Sequence, residues 1–123
     1  MDEADMKLLT RFITVLNEHR RPNWIDLHNL RVIKYGPLLH VDCHLTVPWY
    51  LNIHEAHLEI DALETLIKSN FGDAIELFVH TDGCLPFSCT ICTKNDCPVR
   101  QQPMKARMEW TLKDIISNEK HRL

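Results

Sequence analysis

No apolar run in the sequence approaches the ~20 residues of a membrane-crossing helix. The chain as given therefore cannot move a solute across a bilayer by itself. Its first residues lack a basic segment followed by an apolar one, so no signal peptide is read. Net charge is -3, which leaves no electrostatic footprint for nucleic acid. There is no H-E-x-x-H motif and little loop from which to build a substrate pocket. A metal hydrolase is therefore disfavoured, and the chain is not expected to be an enzyme. Internal repeats and low-complexity segments are also absent.

What is present is an ordinary globular composition with an unusual supply of ligands. Hydrophobic residues make up 45% and charged residues 25% of 123 residues, enough for one domain with a modest core. There are eight histidines and five cysteines. An odd cysteine count with close C-x2-C spacing and no secretory signal reads as metal binding rather than as a disulfide frame.

The elements follow from periodicity. After the acidic start Asp2-Glu-Ala-Asp5, residues Leu9, Phe12, Ile13 and Leu16 recur at i, i+3, i+4 and i+7. They predict a helix over about residues 4–19, ended by Arg20, Arg21 and Pro22. Trp24 to Tyr35 is rich in β-branched and aromatic residues, and Gly36-Pro37 is a turn signal. Leu38 to Val47 alternates cleanly, and Pro48 closes that strand. Asn52 and Glu55 form a capping box for a helix whose buried stripe is Ala56, Ile60, Leu63 and Ile67. Phe71-Gly72-Asp73 stops it, and Ala74 to His80 is a third strand with Ile75, Leu77 and Val79 facing the helices.

Gly83 to about Gln102 is an irregular cysteine loop. Pro103 suits the first turn of a last helix with Met104, Met108, Thr111, Leu112 and Ile115 on one face. Glu119 to Leu123 reads as a frayed end. The fold class is therefore α+β, an open two-layer domain with helices on one face of a mixed three-stranded sheet. Strands 1 and 2 are antiparallel, and a helical crossover makes strands 2 and 3 parallel. Residues 1–82 form the domain proper, and 83–123 a cysteine-rich loop and helical extension.

The sheet face turned away from the helices collects chemistry. Alternation puts His40, Asp42 and His44 of strand 2 there, with His80 and Asp82 of strand 3. Strand 1 adds His28 if its register places Asp26, His28 and Leu30 on that face. Strands about 4.8 Å apart let cross-strand imidazoles and carboxylates converge on one ion. The plainer reading is a set of solvated polar residues on an uncovered sheet, and the pattern alone leaves both open. His54 and His57 read as solvent-facing helix residues, and Cys43 as a small core residue.

Cys84, Cys89, Cys92 and Cys97 follow as C-x4-C-x2-C-x4-C. Four thiolates close a tetrahedral Zn²⁺ site, and the loop's low apolar content means that a metal would supply its order. Cys97-Pro98 gives some ferredoxin character, so an Fe–S cluster is a second option; reduced or paired cysteines without metal are the third.

The element order, with His28 in Trp24-Ile-Asp-Leu-His28-Asn-Leu-Arg, His44 in His40-Val-Asp-Cys-His44-Leu, His57 in Glu55-Ala-His57, and His80-Thr-Asp82, resembles the cytoplasmic C-terminal domain of cation diffusion facilitator transporters. The resemblance covers about residues 1–82. It implies a metallochaperone-like, ferredoxin-like fold, a homodimer, and divalent metal near the dimer interface, usually Zn²⁺. It also implies a transmembrane domain as partner, on the cytoplasmic side of the membrane. His28, His44, His57, His80 and Asp82 match the family's metal positions, and the resemblance implies that His57 serves a site completed by the other protomer. Such His/Asp sites also accept Mn²⁺, Fe²⁺, Co²⁺ or Cd²⁺. Met1-Asp-Glu-Ala resembles the junction after the last transmembrane helix, so the chain is expected to be an excised domain. The cysteine loop and last helix depart from the usual family pattern. The function expected is dimerisation and metal sensing for a divalent-cation efflux transporter. The alternative is a stand-alone metallochaperone or Zn²⁺-dependent interaction module.

Overall fold

The computed structural model describes residues 1–123. Its elements are α1 (Glu3–Glu18), β1 (Asp26–Tyr35), β2 (Leu38–Val47), α2 (Ile53–Phe71), β3 (Ile75–Gly83) and a short α3 (Leu112–Ile116). Short 3₁₀ helices lie at Gly72–Ala74 and Pro86–Ile91. Both long helices begin in a capping box. Asp2 and Asp5 exchange backbone-to-carboxylate bonds of 2.8 and 3.0 Å; the Glu55 N–H donates to the Asn52 side-chain oxygen at 2.7 Å and the Asn52 N–H to the Glu55 carboxylate at 3.0 Å. Each box satisfies two amides that helix geometry leaves unpaired. No helix is long and apolar enough to cross a membrane.

The sheet order is β1-β2-β3, with β1 antiparallel and β3 parallel to β2. The apolar face of β2, formed by Leu39, Val41, Cys43 and Leu45, is fully buried under α1 and α2. Leu9, Phe12 and Leu16 of α1 and Leu63 and Ile67 of α2 are its partners in one core. Ala56 and Ile60 are only half-buried, so the α2 stripe is shifted: Glu59, Leu63, Ile67 and Phe71 are its buried residues. The buried Glu59 is chelated by Arg21, at 2.8 and 3.2 Å, and by Asn23 at 2.9 Å.

β1 contains a bulge that its composition does not reveal. The register slips between His28 and Arg31, so that Asn29 and Leu30 together oppose Cys43. Asn29 adopts φ 52°, a left-handed conformation that asparagine tolerates better than most residues. The slip sends Leu30 into the core, not onto the face shared by Asp26 and His28 as expected. It lets one strand present His28 outward and Leu27, Leu30 and Val32 inward.

The extension departs further from expectation. Residues 103–111 form no helix, and α3 is five residues long. The reason lies with Asn17. Its side-chain amide donates to Trp110 O at 2.8 Å, and its carbonyl accepts from Trp110 N–H at 2.9 Å. Both backbone groups that a helix would need at Trp110 are thereby used. The Trp110 ring is buried in the core beneath the Arg20 guanidinium, which lies 3.9 Å from its centroid. Thr111 then caps the short α3.

The expected frayed end is pinned. The backbone N–H of His121 donates to Asp26 at 2.7 Å, and its Nδ1 meets the same carboxylate at 2.7 Å. Its Nε2 donates to Asp114 O at 2.7 Å, and the Leu123 N–H donates to Thr90 Oγ1 at 3.0 Å. The Asn29 N–H donates to Ser117 O at 2.7 Å, so the tail covers the edge of β1 beside its bulge.

Candidate metal centre

The mixed register lines up two rows across the outer face. His28, His44 and His80 oppose one another across β1, β2 and β3, and Asp26, Thr46 and Asp82 form the next row. Asp82 reaches diagonally into the first row. His44 Nδ1 lies 3.0 Å from Asp82 Oδ2, and His28 Nε2 lies 3.5 Å from the same oxygen. One ligand atom from each of His28, His44 and Asp82 lies within 4.8 Å of the other two. The His28 and His44 rings are 5.1 Å apart, and His80 stacks on His44 at 5.0 Å.

The electrostatics suit a cation. His28 is only 6% exposed, and burial lowers its pKa despite the nearby Asp82 carboxylate, so the ring is held neutral and ready to donate a lone pair. Its Nδ1 is buried without a partner, so packing rather than a hydrogen bond fixes the ring. His44 and Asp82 keep about a third of their side chains open, at 31% and 27%. A metal held there would have room for a further ligand from solvent or from a partner chain. The one cation that the fold itself supplies is Lys120, whose Nζ is 3.9 Å from Asp82 Oδ2. The outer face is therefore not bare at this end.

The other histidines are separated from this cluster. His40 lies farther along β2, held between Glu76 and Asp42 at 3.1 Å each, so both ring nitrogens are occupied. His57 is exposed on α2 and pairs with Asp61 at 3.4 Å; within one chain it is not brought to the sheet site. His54 is exposed as well. His121, within the Glu119–Leu123 stretch that reads as a frayed end, is a fold-locking residue. Its ligand-like partner Asp26 lies 95 positions away, and no local pattern signals the pair. Cys43 is a core residue whose thiol burial pushes up to about 12.

Cys84, Cys89, Cys92 and Cys97 all line one small cavity of about 20 Å³. It lies where Ile25, just before β1, and Pro48, just after β2, meet the end of β3. Gly83 makes this approach feasible: a Cβ there would stand 3.1 Å from Trp49 Cβ. Burial raises the Cys84 pKa; the Trp49 backbone amide opposes this, and Cys92, Cys89 and Cys97 add to it. Burial first, and then Cys97, push the Tyr50 phenol up to about 12.

Comparison with known proteins points one way. A family model described as "Cation efflux protein, cytoplasmic domain" matches residues 5–84. Among curated proteins none matches. Solved structures supply the same fold. The metal-bound C-terminal domain of the CzcD transporter from Thermotoga maritima is 19% identical, with TM-score 0.57, over 68% of this chain and 94% of that one. The cytosolic domain of a cation diffusion facilitator family protein is 19% identical, with TM-score 0.57, over 68% and 96%. A CzrB structure is 23% identical, with TM-score 0.55, over 68% and 96%.

Proposed function

Because the chain belongs to the cation efflux protein family, as its cytoplasmic, dimerisation domain, we propose that it is the metal-sensing part of a divalent-cation exporter, binding Zn²⁺ through His28, His44 and Asp82 and closing a homodimer when loaded. The observation that carries this reading is the convergence of those three ligand atoms within 4.8 Å on an outer sheet face. His80, stacked on His44, is the nearby candidate for a fourth ligand, and the exposed His57 is our candidate for a site shared between protomers. The neutral state of His28 supports Zn²⁺, which takes imidazole nitrogen and carboxylate oxygen readily. The finer reading assigns a second ion to Cys84, Cys89, Cys92 and Cys97. The transmembrane domain of the same transporter is the partner that would read the dimer's closure.

Exposed apolar residues on the same outer face favour association. Ile33, Tyr35 and Phe78 are 48%, 58% and 52% exposed around His40. A ligand that binds only the closed dimer stabilises it by RT ln(1 + [L]/Kd), about 2.7 kcal/mol at a hundredfold excess over Kd. That is enough to shift a weak dimer. Sedimentation velocity of the 123-residue chain with and without Zn²⁺ tests the reading. Zn²⁺ should shift the wild type toward dimer and leave the His44→Ala/Asp82→Ala variant unmoved. A metal-independent sedimentation profile in the wild type would overturn it.

A further inference from the structure

We propose that the four cysteines form a closed, structural site for a single tetrathiolate metal ion, which fastens residues 84–123 onto the end of the sheet. The proposal rests on the reading of these cysteines as a metal site and gives that site a nuclearity, a charge balance and a task separate from sensing.

Topology explains why the site stands here. β2 and β3 are parallel, so their C-terminal ends lie side by side, and antiparallel β1 brings its start to the same edge. The Cys84 N–H donates to Val47 O at 2.9 Å, continuing the β2–β3 ladder one step beyond the strand. The chain then turns back through the 3₁₀ segment, in which the Ser88 N–H donates to Leu85 O at 2.9 Å. Cys92 N–H donates to Cys89 O at 3.2 Å, the tight turn that an x2 spacing needs to aim two sulfurs at one point. Arg100 organises the rest. Its guanidinium donates to the carbonyls of Cys89 at 2.9 Å, Cys92 at 2.8 Å, Lys94 at 3.0 Å and Gln102 at 3.2 Å. This holds the loop as a ring around the cavity.

The ligand count sets the number of ions: four thiolates fill the tetrahedral sphere of one Zn²⁺, and the cavity they line has about 20 Å³ of free space, room for one water-sized body. No three of the cysteine sulfurs lie within 4.8 Å of one another, whereas tetrahedral sulfurs around Zn²⁺ stand about 3.8 Å apart for a Zn–S distance near 2.3 Å. An entering ion would therefore draw them inward. Four protein thiolates complete the tetrahedral sphere and leave no position for a substrate, which is the hallmark of a structural site.

The surroundings match the charge of such a centre. A divalent ion with four thiolates carries two excess negative charges. Lys94 and Arg100 line the same cavity and are the two cationic side chains that do so. Lys94 is 15% exposed and also reaches the exposed Asp96 at 3.4 Å. The Gln101 N–H approaches Cys89 Sγ at 3.5 Å, a donor that a thiolate accepts better than a thiol. The Tyr50 hydroxyl is buried beside Cys97 and has no partner other than that sulfur. A metal-bound thiolate at Cys97 would give it an acceptor.

The test uses the 123-residue chain prepared with Zn²⁺ and freed of loose metal. Elemental analysis should find an ion that His44→Ala/Asp82→Ala retains and Cys89→Ser/Cys92→Ser loses. Cobalt substitution of the wild type should give thiolate-to-metal charge transfer and the intense visible bands of a tetrahedral centre. A second measurement uses the wild type alone and does not depend on how the cysteine variant folds. On chelation, a thiol reagent should gain access to Cys84, Cys89, Cys92 and Cys97, and amide exchange should quicken across 84–123 while the sheet stays protected. Equal metal content in the cysteine variant, or a brown iron–sulfur spectrum, would overturn the proposal. Thiols equally reactive with and without Zn²⁺ would do the same. A cysteine-bound ion found together with a metal-independent dimer would sink the sensing function and leave this site standing.

Discussion

Lys120 Nζ stands 3.9 Å from Asp82 Oδ2, the same oxygen that faces His44 at 3.0 Å and His28 at 3.5 Å. The tail thus places a positive charge against the carboxylate that an incoming cation would use. Its position is held by the neighbouring His121–Asp26 pair, so the charge is not free to swing away without cost.

Removing that charge should tighten metal binding. A Lys120→Met variant keeps most of the side-chain volume and loses the competing cation. Zn²⁺ affinity, measured by titration against a chromophoric chelator, is expected to rise by about 2- to 5-fold, the scale of a partly exposed charge pair. The gain should shrink at high salt. Unchanged or weaker binding would show that Lys120 is only a neighbour of the site.

The strand 2 half of this geometry is legible in the sequence because it is local. Alternation from Leu39 to Val47 sorts core from ligand face, and the Asn52–Glu55 box announces α2. The remainder depends on contacts that no window contains. The bulge at Asn29 moves Leu30 from the ligand face to the core and has no period of its own. Met104, Met108, Leu112 and Ile115 carry a helical period, yet Asn17, 93 positions away, takes both backbone groups of Trp110 and keeps that stretch unwound. Glu59 sits on the buried side of α2 because Arg21 and Asn23 neutralise it from outside the helix.

The bulge makes a prediction of its own. At φ 52° an alanine at position 29 would suffer the left-handed penalty, about 1–2 kcal/mol, whereas glycine would not. Asn29→Ala should lower the denaturant midpoint, and Asn29→Gly should lower it less. Because the slip also aims His28 at Asp82, Asn29→Ala should weaken Zn²⁺ binding as well. Equal midpoints for the two variants would argue against strain at this position.

Glu59 links stability to acid. Burial raises its pKa, but hydrogen bonds from Arg21 and Asn23 outweigh this and hold it below the usual value of 4.5. A depressed folded pKa means that the stabilisation is present above the unfolded value and is lost as pH falls through the folded one. Glu59→Gln should cost about 1–3 kcal/mol at neutral pH, the scale for disturbing a buried charged network. The gap between variant and wild type should narrow below about pH 4. Urea denaturation across this range checks both; a gap that stays constant in acid would rule out the linkage.

His40 should act in the opposite direction. The Glu76 carboxylate raises its pKa above 6.5, burial opposes this, and Asp42 adds to the rise, because both carboxylates bond to the ring. With the folded value raised, the stabilisation is complete below the unfolded pKa and fades as pH climbs through the folded one. In chelator, to keep metal out of the comparison, His40→Gln should lose more stability relative to wild type near pH 5.5 than near pH 8.5. The apolar edges of Tyr35 and Phe78, which pack on the His40 ring at 6.2 and 4.9 Å, persist at both pH values and set a pH-independent baseline. Only the ionic part should therefore move. A stability difference that is flat from acid to base would mean that the ring is held by those aromatic contacts alone. One that grows with pH would mean that His40 is neutral in the fold and that its carboxylate partners are not what raise it.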